Sequence, residues 1–181
     1  MAEKTRRIAP ATLLMLLALA SFAFAAVTLT NITEWHVQSA GTPPIVKVVG
    51  ADVDGNLLSV TTYTAGDGTN RTLITIKGYT GDPTHYDEVI RICNKDTRTY
   101  RVKLVYNGVF EGSWDYVKYL KLWLGTTGPL TIESTTQAGT IGPVDVEGNS
   151  CVSVPAEVLV KPNAPSGDLI TIEVDVVSTY P

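Results

Sequence analysis

The sequence predicts an all-β protein: a two-sheet sandwich of jelly-roll type preceded by an extended N-terminal strand. Three observations carry that expectation. Apolar and polar residues alternate with a period of two in short runs almost throughout the chain. Clusters of Gly, Asp, Asn and Pro separate those runs at close intervals. Beyond the first 25 residues, no segment sustains an apolar stripe with the 3.6-residue period of a helix. About ten short strands at such spacing fit a sandwich, because each is too short and too one-sided to bury its apolar face except against a second sheet.

At the N-terminus, Met1 to Arg7 carries Lys4, Arg6 and Arg7 against Glu3, and the uncharged run TLLMLLALASFAFA follows from Thr12 to Ala25. This is the charged-then-apolar pattern of a secretion signal. Ala23 and Ala25 supply small residues at the positions a signal peptidase reads, so cleavage is expected before Ala26 and residues 1–25 read as a signal peptide. A permanent anchor is the alternative, but the run falls short of the roughly 20 residues a spanning helix needs. A type IV pilin would retain its apolar helix; Ile8 after Arg7 and the helix-breaking Pro10 speak against that arrangement. Export means contact with the membrane only in transit.

The next stretch, AVTLTNITEW from Ala26 to Trp35, is rich in β-branched residues and has neither a helix start nor a hairpin turn of its own. It needs a sheet to pair with, either its own or that of a neighbouring subunit. Residues 36–181 then form the sandwich domain. Its expected strands are Ile45 to Val49, Asn56 to Tyr63, Arg71 to Gly78, Glu88 to Cys93, Arg98 to Tyr106, Tyr116 to Leu124, Leu130 to Thr135, Thr140 to Val146, Cys151 to Val160 and Asp168 to Val177. The last is the cleanest, with Ile170, Ile172, Val174 and Val176 on one face and Thr171, Glu173 and Asp175 on the other. Turns are expected at Asp54-Gly55-Asn56, Gly66 to Gly68, Gly81-Asp82-Pro83, Asn107-Gly108, Gly125 to Pro129, Glu147 to Asn149 and Pro162 to Gly167. Tyr86 to Arg91 or Gly112 to Tyr119 has room for a helical turn.

Removing residues 1–25 leaves 11 basic and 17 acidic residues, a net charge of about −6. That surface repels nucleic acid, and no basic stripe with interleaved aromatics offsets it. Protein or glycan partners are expected instead. Cys93 and Cys151 both lie in the exported part, which points to a disulfide, with two buried thiols as the alternative. Asn31-Ile32-Thr33 and Asn70-Arg71-Thr72 match the N-glycosylation acceptor pattern at Asn31 and Asn70. Asp52 to Asn56 resembles a calcium loop superficially, but its glycine comes too early and no closing acid follows, so a plain turn is expected. His36 and His85 lack zinc spacing, and neither sits in a cysteine-enzyme setting. Hence no catalytic residue, metal or cofactor is expected. Trp35, Trp114 and Trp123 read as packing residues, with a sugar platform as the alternative.

Several of these phrases occur together in one group. The export signal, the Thr-rich strand directly after it, Val89-Ile90-Arg91-Ile92-Cys93-Asn94-Lys95-Asp96-Thr97 leading into an alternating strand, and Pro165-Ser166-Gly167-Asp168 before the last strand resemble archaeal bundling-pilus subunits. Those are related to the TasA and camelysin family of biofilm-matrix fibre proteins. The chain departs from bacterial members in lacking a Phe-Ser-Asp type start after the apolar segment. The resemblance implies a jelly-roll subunit of an extracellular, cell-surface filament that polymerises by donor-strand complementation. The donor would be Ala26, Val27, Thr28, Leu29, Thr30, Asn31, Ile32 and Thr33, entering the next copy head to tail. Filaments would then associate laterally into bundles for adhesion or biofilm cohesion.

Physics sets a condition on that idea. Val27, Leu29 and Ile32 bury too little apolar surface to offset the entropy of ordering ten residues, so a full ladder of main-chain hydrogen bonds to a preformed groove is required. Val27 and Leu29 share one strand face and Ile32 lies on the other, which implies a bulge or burial on both faces. The competing expectation is a monomeric secreted or cell-surface binding module for a protein or glycan ligand, in which this strand pairs within its own sheet.

Overall fold

A computed structural model describes residue 38, residues 41–66 and residues 70–180. The signal segment and the strand from Ala26 to Trp35 lie outside the described residues. The compact unit opens at Gly41, and its elements are all strands: β1 Ile45–Val49, β2 Leu58–Thr64, β3 Asn70–Ile76, β4 Pro83–Asn94, β5 Tyr100–Gly112, β6 Val117–Leu124, β7 Thr127–Ile132, β8 Gly139–Val146, β9 Cys151–Val160 and β10 Ile170–Thr179.

Alternation explains why these runs become strands, and the sheets show what each buries. One sheet has the order β1-β4-β9-β6-β7 and a second the order β10-β5-β8; β2 and β3 form a separate hairpin. All named pairings are antiparallel. Inward residues of the five-stranded sheet, including Ile90, Ile92, Leu122, Leu124, Ile132, Val154 and Ala156, share one core with Val102, Leu104, Tyr106, Ile141 and Val146 of the three-stranded sheet. Two sheets joined through one apolar layer make a β-sandwich. The hairpin adds Leu58, fully buried, with Val60, Ile74 and Ile76 packed against the same core.

Local departures from the sequence reading have physical causes. Tyr86 to Arg91 is not a helical turn but part of β4, where the pairing with β9 shifts register between Tyr86 and Ile90. The irregularity buries Tyr86, Val89 and Ile90, and that spacing imitates one helical face. Gly112 to Tyr119 is likewise a strand end, a short loop and a strand start. Asn107-Gly108 does not turn the chain; β5 runs through it and slips register against β10. Gly108 has φ of 136°, and Asn107 Nδ2 donates to Glu173 and Asp175 on β10. Turn chemistry has therefore built a bulge. At Gly125 to Pro129 the turn is tighter than expected, since β7 already begins at Thr127.

Candidate functional site

Buried Asn94 fastens the end of β4: its Nδ2 donates to the carbonyls of Arg98, Val146 and Glu147, and its Oδ1 accepts from the Asp96 N–H. Beside it, Cys93 and Cys151 are directly opposed on β4 and β9 and form a disulfide. The disulfide thus joins β4 to β9, neighbours in the five-stranded sheet. Its two lateral sides differ.

On one side β7 and β8 lie against each other, so the end strands of the two sheets close the sandwich. The opposite side has β1 and β10 as end strands, with a cleft of about 350 Å³ between them. Pro43, Ile45 and Lys47 line one wall; Val174, Asp175, Val176 and Ser178 line the other. Burial records the opening. Leu104 and Tyr106 of β5 are 2% and 1% exposed, whereas Val176 and Val174, their partners on β10, are only half-buried. On β1, Val49 is opposite Ile90, an inward position, yet is 47% exposed.

Main-chain polarity follows from register. The Gly50 N–H donates to the Val89 carbonyl and the Lys95 N–H to the Pro44 carbonyl. In an antiparallel ladder hydrogen-bonded positions alternate, so Pro44, Val46, Val48 and Gly50 face β4 with their backbone groups. Ile45, Lys47 and Val49 then present theirs along the outer edge. Among the described residues no strand pairs with this edge, and an edge of that kind is suited to accept a strand.

Lys47 is the charged residue of the β1 wall and is exposed. It stands opposite Ile92, fully buried on β4, so its side chain leaves the inward face. Partial burial lowers its pKa and the Asp175 carboxylate across the cleft opposes that shift. Asp175 itself accepts a 2.7 Å hydrogen bond from Asn107.

A second cluster lies on the outer face of the five-stranded sheet. Glu157 Oε1 accepts from Tyr119 Oη and from Lys121 Nζ, each at 2.9 Å. The hydrogen bond from Lys121 is the main reason the Glu157 carboxyl sits below its usual pKa. His85 stands 3.8 Å from Glu157 and 3.3 Å from Asp87, with its ring edge-on to Trp123 at 5.5 Å. Sequence reading placed His85 and Trp123 separately; pairing across β4, β9 and β6 brings them together.

The other expected sites fall out as follows. Asn70 opens β3 opposite Thr64 near the tip of the hairpin. Asn31, Trp35 and His36 lie outside the described residues, as do Ala23, Ala25 and Ala26. Asp54 Oδ1 accepts from the N–H groups of Asn56, Leu57 and Leu58, so the Asp52 to Asn56 stretch uses this carboxylate to cap a turn. Trp114 packs against the core. Among the described residues, no group of three or more His, Cys, Asp or Glu is placed to hold a metal, and no helix is long and apolar enough to cross a membrane. Sequence reasoning missed Lys47 as a site residue; its signal was a lone charge on the Ile45-Lys47-Val49 face of IVKVV. Compared with known proteins, the chain matches no family model and none of the curated proteins.

Proposed function

We propose that the protein is a structural subunit of an extracellular filament, assembled by strand donation, in which Ala26 to Thr33 of one copy fills the cleft between β1 and β10 of the next. One observation carries the reading: the core is sealed at β7 and β8 but open at β1 and β10, where inward-facing Val49, Val174 and Val176 keep contact with solvent. The missing piece is an extended, β-prone segment, and Ala26 to Trp35 is one. A ten-residue strand spans about 33 Å, more than the length of β1. A head-to-tail contact of this type does not close on itself and so propagates. The Cys93–Cys151 disulfide supports an oxidising compartment and hence export. Lateral association into bundles would then use the outer sheet faces.

Negative-stain microscopy of the chain beginning at Ala26, beside one lacking residues 26–33, tests this. The expected result is filaments from the first and folded monomers from the second. Monomers from the first, with the truncated chain unfolded, would return the strand to its own domain.

The cluster of His85, Trp123, Tyr119, Lys121 and Glu157 favours a second reading, a binding module whose outer sheet face meets a protein or glycan. Aromatic surface beside fixed hydrogen-bonding groups is what such ligands require. Under that reading His85→Ala and Trp123→Ala abolish ligand capture, while filament formation is irrelevant.

A further inference from the structure

Two tyrosines from distant parts of the chain meet where β5 begins and β10 ends. Arg101 is paired with Thr179 across these antiparallel strands, so the next residues along, Tyr100 and Tyr180, stand opposite each other at the end of the three-stranded sheet. Their ring centroids are 5.7 Å apart, with the planes inclined at 56°. Tyr100 is 8% exposed and Tyr180 58%, so one ring is held in the fold and the other is open to solvent. Arg98 steadies both: its guanidinium carbon lies 4.8 Å from the centre of the Tyr180 ring and 5.9 Å from that of Tyr100, and its Nη2 donates to Tyr100 Oη. Tyr100 Oη in turn donates to Asp96 Oδ2 at 3.1 Å.

Two phenylalanines would pack as well; what two phenols add is a reaction. We propose that Tyr100 and Tyr180 are a site of oxidative cross-linking, joined ring to ring as a dityrosine when the protein meets a one-electron oxidant such as a peroxidase working with hydrogen peroxide. Each phenol gives up one electron and its hydroxyl proton. The two phenoxyl radicals combine through ring carbons ortho to the oxygens, and the hydrogens on those carbons move to the oxygens to restore the phenols. The pair thus loses two hydrogens in all, and one peroxide takes up the two electrons and two protons to become two waters.

The surroundings suit this step. A phenol is protonated at neutral pH, so losing its electron calls for a proton acceptor, and the Asp96 carboxylate is within hydrogen-bond reach of Tyr100. Exposure gives the oxidant access to Tyr180. Holding both rings in one contact makes their coupling unimolecular, which favours it over links between molecules through the exposed Tyr63, Tyr79 and Tyr116. Among the described residues β10 is an end strand paired only with β5, and the new bond fastens its far end to the start of that strand. Strand donation is not needed for this inference, which concerns the folded domain alone.

Treating the chain beginning at Ala26, kept dilute, with a peroxidase and hydrogen peroxide tests it. The expected product runs as a monomer on a denaturing gel, fluoresces as dityrosine and has lost two hydrogens by mass spectrometry. On digestion it yields a peptide containing Tyr100 joined to one containing Tyr180. Tyr100→Phe and Tyr180→Phe are each expected to cut the dityrosine of the monomer at least about ten-fold, with circular dichroism checking that the variants fold. Tyr180→Phe alters an exposed side chain, so it keeps the test open if Tyr100→Phe fails to fold. Asp96→Asn is expected to slow the link several-fold and to leave its position unchanged.

Other results overturn the proposal. Dityrosine found only in dimers and larger species would place the coupling between molecules. A monomer product indifferent to Tyr180→Phe would place it at another pair. Equal yields of the Tyr100–Tyr180 link from folded protein and from protein unfolded in urea would show that the fold does not set up the pair. No dityrosine at all, under conditions that couple free tyrosine, would remove the site. Coupling of Asp96→Asn at the wild-type rate would strike out the carboxylate as proton acceptor.

Discussion

Asp96 shows how much one exposed turn contributes to closing the sandwich. Its carboxylate accepts from Arg98 Nε and Nη2 at 2.9 and 2.6 Å, from the Thr97 N–H and from Tyr100 Oη. The hydrogen bonds from Arg98, then that from Thr97, lower its pKa to about 2. Arg98 also lies 4.8 Å over the Tyr180 ring, so the start of β5 and the end of β10 are tied through one guanidinium. A carboxylate with a depressed native pKa stabilises the fold above its unfolded pKa and loses that contribution as the pH falls through the native value. Thermal melts of wild type and Asp96→Asn are therefore expected to differ at pH 6 and to converge as the pH falls from about 4 to about 2. A gap that stays constant across that window would show that the carboxylate's charge is not responsible. Asn94 acts beside it without charge, satisfying three carbonyls that the end of the core would otherwise strand.

Among the elements, β4 and β9 form the spine, and the cleft takes its shape from how firmly they hold. The Cys93–Cys151 bond closes 58 residues of chain that contain β5, β6, β7 and β8. In the loop-entropy account that restricts the unfolded chain by about 4 kcal/mol. Reduction, or Cys93→Ser with Cys151→Ser, is expected to lower stability by about 2 to 4 kcal/mol and to lower the melting temperature by several degrees. Denaturant melts that coincide with and without reductant would show that the register of β4 and β9 is held by packing alone. The β5 bulge at Asn107-Gly108 has a different part. Where β5 slips against β10, Asn107 donates to both Glu173 and Asp175 on β10.

At the scale of the described domain, the sandwich is closed where β7 meets β8 and carries a cleft between β1 and β10, which is where the proposed strand would bind. Anything that binds the folded state and not the unfolded one stabilises it by mass action. A synthetic peptide of residues 26–35, added to the domain lacking residues 26–33, is expected to raise its melting temperature in a saturable manner. At a hundred-fold excess over its dissociation constant the gain is about 2.7 kcal/mol. A scrambled peptide of the same composition is expected to have little effect, because its alternation of apolar and polar residues is lost. Equal shifts from both peptides would mean that the cleft does not read the sequence of a strand.

The amino-acid order by itself determined the fold class, most strand positions and the cysteine pair as a candidate. These depend on local alternation, turn chemistry and counting, all of which are written along the chain. Ile45–Val49 and Cys151–Val160 coincide with the alternating runs that announce them. Local signals misled where a register shift broke the period of two, at Tyr86 to Arg91 and at Asn107-Gly108. What only the tertiary structure decided is which strands end the sheets. End position is a property of pairing between segments far apart in sequence: β1 and β10 come from opposite ends of the domain, and apart from the lone Lys47 in IVKVV no local pattern marks either as an edge. The cleft, its half-buried valines and the approach of Lys47 to Asp175 come into being only when both sheets are assembled, because an opening belongs to a surface and has no counterpart in a linear pattern.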